Sequence, residues 1–242
     1  MEKKIIGYTT GVYDMFHIGH LNILEKAKSM CDYLIVGVST DELVQKEKNK
    51  TPVIPYAERA EIVGSIRYVD QVVPQENKNK KEAWEKFHFD KMFVGSDWQG
   101  TPQWKKFEEE FAPLGVEIVY LPHTDGISST QLTAFIKKEL EEIDAIHSNG
   151  GGCSSIGYTT GVFDLFHIGH LNILRRAKER CDKLIVGVST DENVMSYKHK
   201  NPTVPFDERI RIIKAIKYVD YVVEQADMDK FKAWDKLHYN VM

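Results

Sequence analysis

A tandem repeat constrains the fold of this chain more than any other feature of its sequence. A shift of 150 residues aligns residues 7–92 with residues 157–242 without a gap, and 50 of the 86 aligned positions are identical. The period is far too long for a solenoid, whose stacked units are about 20 to 45 residues long. The repeat therefore indicates a duplicated domain. Within these 242 residues, the second copy has no counterparts of residues 93–143.

Each copy alternates apolar strands with amphipathic helices. Residues 33–39 form a continuous apolar run, which is typical of a parallel strand covered on both faces. Further strands are expected at residues 5–8, 70–74, 91–94 and 116–121, and helices at residues 21–28, 56–66, 80–88, 102–111 and 128–146. This alternation predicts an α/β fold with a Rossmann-like, doubly wound parallel sheet. In such sheets, ligands bind beyond the carboxyl ends of the strands.

The repeat and a glycine-rich segment set the expected domain boundaries. Residues 1–143 are expected to form a complete domain, residues 144–155 a flexible glycine/serine linker, and residues 156–242 an incomplete second domain. A sheet that lacks its last two strands leaves an apolar edge uncovered. Two explanations remain open: the second domain continues beyond Met242, or the first copy covers it.

Composition excludes several classes of function. The net charge is −4, which gives no electrostatic case for nucleic-acid binding. No apolar run reaches the roughly 18 to 20 residues that span a bilayer, and the N-terminus lacks the apolar segment of a secretory signal. We therefore expect a cytoplasmic protein without membrane insertion. Cys31, Cys153 and Cys181 form no Cys-x-x-Cys pair, so neither a zinc site nor a dithiol redox pair is predicted, and no metal ligand is assigned.

The sequence Gly-Val-Tyr-Asp-Met-Phe-His-Ile-Gly-His at residues 11–20 joins the first strand to the first helix. Residues 11–24 match residues 161–174 at 12 of 14 positions. The paired histidines have three interpretations: structural groups, metal ligands or phosphate-binding groups. Phosphate is favoured because glycine lets backbone N–H groups approach an anion and the helix N-terminus adds positive charge. Histidines there can donate hydrogen bonds as charge builds in a transition state.

A second turn, Gly-Ile-Ser-Ser-Thr at residues 126–130, places a glycine and three hydroxyls before a long helix. It is either an ordinary helix cap or a second anion site, and two anion sites favour a triphosphate. Three lysines of the first copy, Lys48, Lys50 and Lys80, recur in the second copy, as Lys198, Lys200 and Lys230. The neighbouring lysines at positions 46, 78 and 81 do not recur, which favours the first three over ordinary solvated lysines.

Five segments together resemble the cytidylyltransferase family of HxGH nucleotidyltransferases, and in particular its bacterial members that use glycerol 3-phosphate. They are residues 11–20, Ser-Thr-Asp-Glu at 39–42, Ile-Arg-Tyr-Val-Asp at 66–70, Gly-Ser-Asp-Trp at 95–98 and Thr-Asp-Gly-Ile-Ser-Ser-Thr at 124–130. The resemblance covers residues 5–140, and in the second copy it extends only as far as Met242. Each segment alone is a weak signal, whereas their order and spacing together are specific.

The resemblance implies transfer of a cytidylyl group from CTP to glycerol 3-phosphate or a similar small phosphorylated alcohol, with Mg²⁺ as cofactor. The products would be pyrophosphate and a CDP-alcohol, a precursor of surface polymers such as teichoic acid or capsule. By match to the family motifs, His17 and His20 would stabilise the transition state. Lys48 and Lys80 would hold the acceptor phosphate, and Lys50 would hold CTP. Lys48 would also be a catalytic residue. The remaining nucleotide-binding residues would be Val12, Tyr13, Gly95, Asp97, Trp98, His123, Thr124, Asp125, Gly126, Ile127, Ser128, Ser129 and Thr130.

Two details and several alternatives accompany this interpretation. Asp14 is expected to brace the turn, and His123 stands where the family usually has arginine, so CTP binding is expected to weaken at high pH. Other acceptors or bases remain open, with phosphocholine, phosphoethanolamine, FMN or a sugar phosphate in place of glycerol 3-phosphate. The family resemblance also implies a homodimer or an internal pseudo-dimer. The second copy, with His167, His170, Lys198, Lys200 and Lys230, is either a second active site or a non-catalytic pairing module.

Overall fold

The computed structural model describes residues 3–122, 128–148 and 155–242. The chain divides into two compact units, an N-terminal unit, Met1–Thr124, and a C-terminal unit, Asp125–Met242. Each unit has a parallel sheet with helices packed against it, which confirms the predicted α/β class. Within the described ranges, no helix combines the length and the apolar character needed to cross a bilayer.

The N-terminal unit has a five-stranded parallel sheet in the order β3-β2-β1-β4-β5. Its strands are β1 (Ile6–Gly11), β2 (Tyr33–Ser39), β3 (Gln71–Gln75), β4 (Lys91–Gly95) and β5 (Glu117–Leu121). Its helices are α1 (Ile18–Lys28), α2 (Asp41–Lys48), α3 (Tyr56–Gly64), α4 (Lys80–Phe87) and α5 (Pro102–Phe111). The strand order reverses direction between β1 and β4, so the carboxyl end of β1 lies at the switch point where doubly wound sheets bind ligands.

Local sequence explains where these elements begin and end. Six of the seven residues of β2 are buried, as its unbroken apolar run predicts. The hydroxyl of Thr40 accepts a hydrogen bond from the backbone N–H of Leu43 and caps α2. The helix continues to Lys48 and ends at Asn49, which adopts a left-handed conformation with φ of 50°. The lysine-rich segment that begins at residue 46 is therefore helical as far as Lys48.

The C-terminal unit repeats the first half of this architecture. Its sheet has the order β6-β7-β8, with strands β6 (Ile156–Gly161), β7 (Lys183–Ser189) and β8 (Tyr221–Gln225). Its helices are α6 (Ser129–Ser148), α7 (Ile168–Lys178), α8 (Asp191–Lys198), α9 (Phe206–Lys214) and α10 (Lys230–Leu237). A single bridge pairs Gly157 with Val241 at the position that β4 takes in the first copy. The gap-free alignment of the two copies thus holds in three dimensions.

Helix α6 differs from the predicted domain boundaries. The helix was expected to reach residue 146 and extends to Ser148, so residues 144–148 of the expected linker are helical. The division between the compact units falls before this helix. The reason is packing: Ile143 is fully buried in the second core, beside Ile185 and Val223, and Leu140 and Ile146 pack against the same cluster. A segment assigned by sequence to the first copy therefore completes the core of the second.

Helix α6 also forms a hydrogen bond to an end strand of the second sheet. The buried carboxylate of Glu139 on α6 accepts a hydrogen bond of 2.9 Å from the backbone N–H of Val222 in β8. Because β8 is an end strand of its sheet, this N–H has no strand partner on that side. Strand β8 corresponds to β3, which is an end strand in the first copy as well, whereas the edge beside which the missing strands would lie is that of β6. The bond of Glu139 therefore covers the other side of the sheet, and both explanations stay open.

Candidate active site

The histidine turn connects the carboxyl end of β1 to the N-terminus of α1. His17 is the N-cap of α1, with an extended backbone (φ −139°), and its Nδ1 accepts a hydrogen bond of 3.1 Å from the backbone N–H of Gly19. The backbone N–H of His17 in turn donates to Nδ1 of His20 at 3.4 Å, which closes a capping box. The two imidazole rings lie 3.9 Å apart between centroids.

These contacts assign the tautomer of both histidines. Since each Nδ1 accepts from a backbone N–H, each neutral ring carries its proton on Nε2. Burial lowers the pKa of His20 to about 3, helped by the nearby His17, and partial burial also lowers the pKa of His17. Both rings are therefore neutral Nε2–H donors at pH 7. Groups of this kind can bind phosphate oxygens without titrating in the physiological range.

Gly19 is required by the position of the His17 ring. A Cβ at this position would lie 2.9 Å from Cε1 and 3.0 Å from Nδ1 of His17. Such contacts are too short, so any side chain here would displace the ring from its capping position. The same relation holds in the second copy, where a Cβ on Gly169 would lie 2.8 Å from Cε1 of His167.

Two residues of the turn have a left-handed backbone that sequence analysis did not identify. Tyr13 has φ of 56° and Met15 has φ of 47°, and the corresponding Phe163 and Leu165 have φ of 55° and 46°. Non-glycine residues in this region are uncommon and concentrate at functional sites. No sequence signal marks them, because tyrosine and methionine carry no preference for this conformation.

The loop after α2 is fixed to the turn by Asp14. Its carboxylate accepts hydrogen bonds from the backbone N–H groups of Val53 at 2.8 Å and Ile54 at 2.9 Å. Both carboxylate oxygens are thus engaged in bracing, as expected from the sequence. The same loop carries Lys50.

Arg59 is a second brace, and it was missed by sequence analysis. Its side chain is 1% exposed, and its guanidinium donates to the backbone oxygens of Ile54, Val12 and Ser39 and to the carboxylate of Asp41. It therefore joins the ends of β1 and β2 to the loop and to α2. Arg209 makes equivalent bonds to Val204, Val162 and Asp191 in the second copy. The identity of this arginine in both copies was the available signal.

A cavity of about 420 Å³ lies above the turn, and we call it the histidine cavity. Six of the predicted site residues line it: Val12, Tyr13, His17, His20, Lys48 and Lys50. Asp14, Val44, Thr51 and Pro52 complete the lining. The structure therefore brings the histidines and two of the three selected lysines to one opening at the carboxyl end of β1.

A second cavity of about 260 Å³, the lysine cavity, adjoins the end of β1 on the side of β4. Its polar lining comprises Thr10, Ser39, Lys48, Gln75, Lys78, Lys80 and Gln103, and its apolar lining includes Tyr8, Phe93, Trp98, Trp104 and Phe107. Lys48 and Val12 line both cavities. A ligand group in the lysine cavity could therefore meet one in the histidine cavity beside Lys48.

Lys80 is buried in the lysine cavity. Its side chain is 8% exposed, and Nζ donates a hydrogen bond of 2.7 Å to the hydroxyl of Thr10. Burial, and secondarily the positive charge of Lys78, lowers the pKa of Lys80 to about 8. A buried lysine without a carboxylate partner is costly to keep charged, so this position is suited to an anionic ligand.

The remaining predicted residues divide into two groups. Gly95 ends β4, and Asp97 and Trp98 lie in the single turn of 3-10 helix that follows; only Trp98 among them lines the lysine cavity. Ser128, Ser129 and Thr130 lie at the N-terminus of α6 in the C-terminal unit, where the Ser128 hydroxyl accepts from the backbone N–H of Gln131. His123, Thr124, Asp125, Gly126 and Ile127 lie outside the described residues, as does Cys153.

The second copy keeps much of this geometry. Nδ1 of His167 accepts from the backbone N–H of Gly169 at 3.0 Å, and Nζ of Lys230 donates to the hydroxyl of Thr160 at 2.8 Å. One difference is that Nδ1 of His170 is buried and has no hydrogen-bond partner among the described residues, so the capping box is not closed. Lys198 and Lys200 are exposed, as Lys48 and Lys50 are.

No part of the described structure resembles a metal site built from protein side chains alone. Among these residues, no group of three or more histidine, cysteine, aspartate or glutamate side chains is placed to hold an ion. The carboxylate nearest the histidines, that of Asp14, is already bonded to two backbone N–H groups. These residues fit a magnesium ion that arrives with nucleotide phosphates, since Mg²⁺ is commonly held by substrate phosphates and water.

A parallel sheet with paired Nε2–H donors and a helix N-terminus at its switch point defines a nucleotide-binding α/β protein. A family model described as cytidylyltransferase-like matches residues 8–135 and 158–240. The chain therefore belongs to the cytidylyltransferase-like family, and it is an enzyme of the nucleotidyltransferase class. Both copies fall within the match, which confirms the resemblance and the repeat.

Individual relatives fall into two groups. The glycerol-3-phosphate cytidylyltransferase of Bacillus spizizenii is 41% identical over 143 residues, which cover 58% of this chain and 99% of that protein. The glycerol-3-phosphate cytidylyltransferase of Staphylococcus aureus is 42% identical over 144 residues, covering 59% of this chain and 98% of that protein. The ethanolamine-phosphate cytidylyltransferase of Dictyostelium discoideum is 28% identical over 285 residues, covering 100% of this chain and 79% of that protein.

Proposed function

We propose that the N-terminal copy transfers a cytidylyl group from CTP to glycerol 3-phosphate, giving CDP-glycerol and pyrophosphate. The observation that carries this proposal is the pair of cavities that share Lys48. The histidine cavity suits the CTP phosphates and the lysine cavity suits the acceptor. An acceptor phosphate beside Lys48 can then attack the α-phosphate of CTP in line, with pyrophosphate departing on the opposite side.

In this mechanism the protein supplies position and charge rather than a covalent intermediate. The acceptor phosphate is already ionised near pH 7, so no general base is needed. The Nε2–H groups of His17 and His20 donate to oxygens of the reacting α-phosphate and the leaving pyrophosphate as their charge increases. Lys48 and Lys50 neutralise the phosphates on either side, and Lys80 holds the acceptor phosphate in the lysine cavity.

Nucleotide recognition is the part of the proposal that rests mainly on sequence motifs. Val12, Tyr13 and the segment 95–98 would frame the base and ribose, and residues 123–130 would bind the triphosphate. Mg²⁺ would accompany the triphosphate and neutralise its charge. The corresponding residues of the second copy are His167, His170, Lys198, Lys200 and Lys230, and its capping box is not closed. We propose that this copy is a non-catalytic pairing module.

The acceptor is proposed from the chemistry of the lysine cavity. Its described lining contains three lysines, the hydroxyls of Thr10 and Ser39 and the amide of Gln75, and no carboxylate. A cavity of this composition favours a phosphate joined to a neutral polyol. The two bacterial relatives with about 41% identity act on glycerol 3-phosphate by name. A CDP-alcohol of this kind would supply surface-polymer synthesis. We expect the reaction, which consumes CTP, to take place in the cytoplasm.

Phosphoethanolamine is the second candidate acceptor. The Dictyostelium relative named for it aligns with all of this chain, including the second copy. The aromatic wall of Trp98, Trp104 and Phe107 could also hold an ammonium group over a ring face. The three lysines oppose this alternative, because they repel a cationic head group.

The test is pyrophosphate release from the whole chain with CTP and a panel of acceptors: glycerol 3-phosphate, phosphoethanolamine, phosphocholine, FMN and a sugar phosphate. We expect turnover with glycerol 3-phosphate, its loss in His17→Ala and its retention in the matched His167→Ala variant. Turnover confined to phosphoethanolamine would favour the second candidate. Loss of activity in His167→Ala with an unchanged Tm would contradict a non-catalytic second copy. The same preparations, analysed by sedimentation, would show whether the chain forms a homodimer or acts alone as an internal pseudo-dimer.

A further inference from the structure

An ion pair that takes no part in the proposed reaction lies at the mouth of the lysine cavity. Nζ of Lys78, in the loop before α4, lies 2.6 Å from a carboxylate oxygen of Glu47 in the last turn of α2. Lys78 is one of the residues that line the cavity, whereas Glu47 is not. The pair therefore spans two elements that border the opening, one carrying Lys48 and the other leading to Lys80.

Lys78 is close enough to the interior of the cavity to act there. Its positive charge contributes to the low pKa of the buried Lys80, second only to burial. The Lys78 side chain is 55% exposed and that of Glu47 is 31% exposed, so both can reorient. An exposed pair of this kind contributes little to stability, typically about 0 to 1 kcal/mol, which makes a purely structural role a weak explanation.

The second copy offers an internal comparison, because it has lost both partners at once. Tyr197 stands at the position of Glu47, and Met228 at the position of Lys78. Lys198 and Lys230, which correspond to Lys48 and Lys80, are retained. Neighbouring positions such as 46, 49, 77 and 79 differ as well, so the comparison does not by itself assign the pair a role. It does supply the natural replacement for each partner beside unchanged lysines.

We propose that Lys78 determines acceptor specificity in the N-terminal copy: Glu47 holds its ammonium at the cavity mouth, and the dianionic acceptor phosphate takes it over on binding. This inference rests on the proposed function, since it concerns the acceptor of that reaction. A dianion attracts the ammonium more strongly than a single carboxylate does, so the exchange is favourable. Lys78 then provides a third cation for phosphate and repels acceptors with a positive head group. Glu47 is a positioning residue that competes with the acceptor.

The test combines calorimetric binding with kinetics on the whole chain. In Lys78→Met, which installs the residue of the second copy, we expect the Kd and KM for glycerol 3-phosphate to rise about tenfold with the KM for CTP unchanged. The preference for glycerol 3-phosphate over phosphoethanolamine should fall by a similar factor. In Glu47→Gln, the KM for glycerol 3-phosphate should fall about twofold to threefold, because the competing carboxylate is gone. The double variant should resemble Lys78→Met alone.

Lys81→Phe is the matched control. It removes the same charge three residues further along, also installs the residue of the second copy, and lies outside the described lining of the cavity. An equal effect of Lys81→Phe would overturn the proposal, because it would show that any positive charge near the cavity influences acceptor binding as much as Lys78 does. Unchanged acceptor binding in Lys78→Met, or no binding of glycerol 3-phosphate by the unsubstituted chain, would also overturn it. Acceptor binding that depends on Lys78 without any turnover of CTP would instead contradict the proposed function alone.

Discussion

Glu139 and Lys214 form an ion pair of 2.7 Å within the C-terminal unit, between α6 and α9. The Glu139 side chain is 5% exposed, and its other bond goes to the backbone N–H of Val222 in β8. One carboxylate thus satisfies a lysine and the end strand of a sheet. Its position explains why α6 belongs to the second core although its sequence follows the first copy.

Replacing Glu139 should loosen this unit at β8. In Glu139→Ala, the N–H of Val222 and the ammonium of Lys214 lose their buried acceptor, at a cost of about 1 to 3 kcal/mol. Hydrogen exchange followed by mass spectrometry should show faster exchange in peptides that contain β8. The control is Glu141→Ala, since Glu141 is exposed on the same helix and forms an ion pair with exposed Lys137. Equal exchange in the two variants would contradict the assigned role of Glu139.

The histidine tautomers predict different outcomes for two isosteric substitutions. Asparagine places its amide near the position of Nδ1, so His17→Asn should retain the helix cap and an unchanged Tm. It should lose about 10²- to 10³-fold in kcat, because the donor at Nε2 is gone. Glutamine reaches the Nε2 position, so His17→Gln should retain more activity and be less stable. The reverse order of activities would show that the proton lies on Nδ1.

The low pKa values of the histidines also predict how activity depends on pH. Burial lowers both pKa values below 6.5, so both rings are mainly neutral above that pH. Activity should therefore not decline as the pH rises through 6.5. The kcat measured with saturating CTP and glycerol 3-phosphate checks this. A decline with a midpoint near 6.5 would indicate that an imidazolium is required.

The buried charge of Lys80 should lower the stability of the unliganded chain and favour binding of the acceptor. Its folded pKa of about 8 lies below the unfolded value of 10.5, so the charged form is disfavoured in the folded state. The free-energy cost of keeping Lys80 charged in the folded state is present in full below pH 8 and decreases as the pH rises from 8 to 10.5. Lys80→Met should therefore stabilise the unliganded chain by about 2 kcal/mol at pH 7, after loss of the bond to Thr10, and by less at pH 9.5.

The same substitution should weaken acceptor binding, with the KM for glycerol 3-phosphate raised at least tenfold. In the unsubstituted chain, that KM should rise above pH 8 as Lys80 loses its charge. Thermal unfolding at the two pH values and acceptor kinetics measure these effects. If Lys80→Met stabilised the chain less at pH 7 than at pH 9.5, the assigned burial cost would be wrong.

Matched glycines test the roles of the two copies. Gly19→Ala and Gly169→Ala introduce the same contact with the adjacent histidine ring, at 2.9 and 2.8 Å. Both should lower stability by a similar small amount, whereas only Gly19→Ala should reduce kcat substantially. The measurement is kcat with glycerol 3-phosphate beside the Tm of each variant. Equal loss of kcat in the two variants would indicate that the second copy is catalytic.

Local features of the site could be predicted because their causes are local. The turn at residues 11–20 was located from an apolar run, glycines and the following helix pattern, and Asp14 was correctly expected to brace it. Arg59 was missed because its acceptors lie in three segments, around residues 12, 39–41 and 54, that only the folded sheet brings together. The left-handed residues of the turn were missed because tertiary contacts, rather than residue type, hold them there.

The sequence by itself determined that this chain holds two copies of one α/β unit, and where each copy places its histidine turn. Those conclusions follow from identity at a fixed period, strand and helix patterns, and capping residues, all of which act over short stretches. The tertiary structure decided that α6 packs against the second sheet. The two copies share much of their core sequence, so periodicity alone could not choose between them. It also decided that Lys80 is buried and carries a lowered pKa, because burial depends on every element around the side chain.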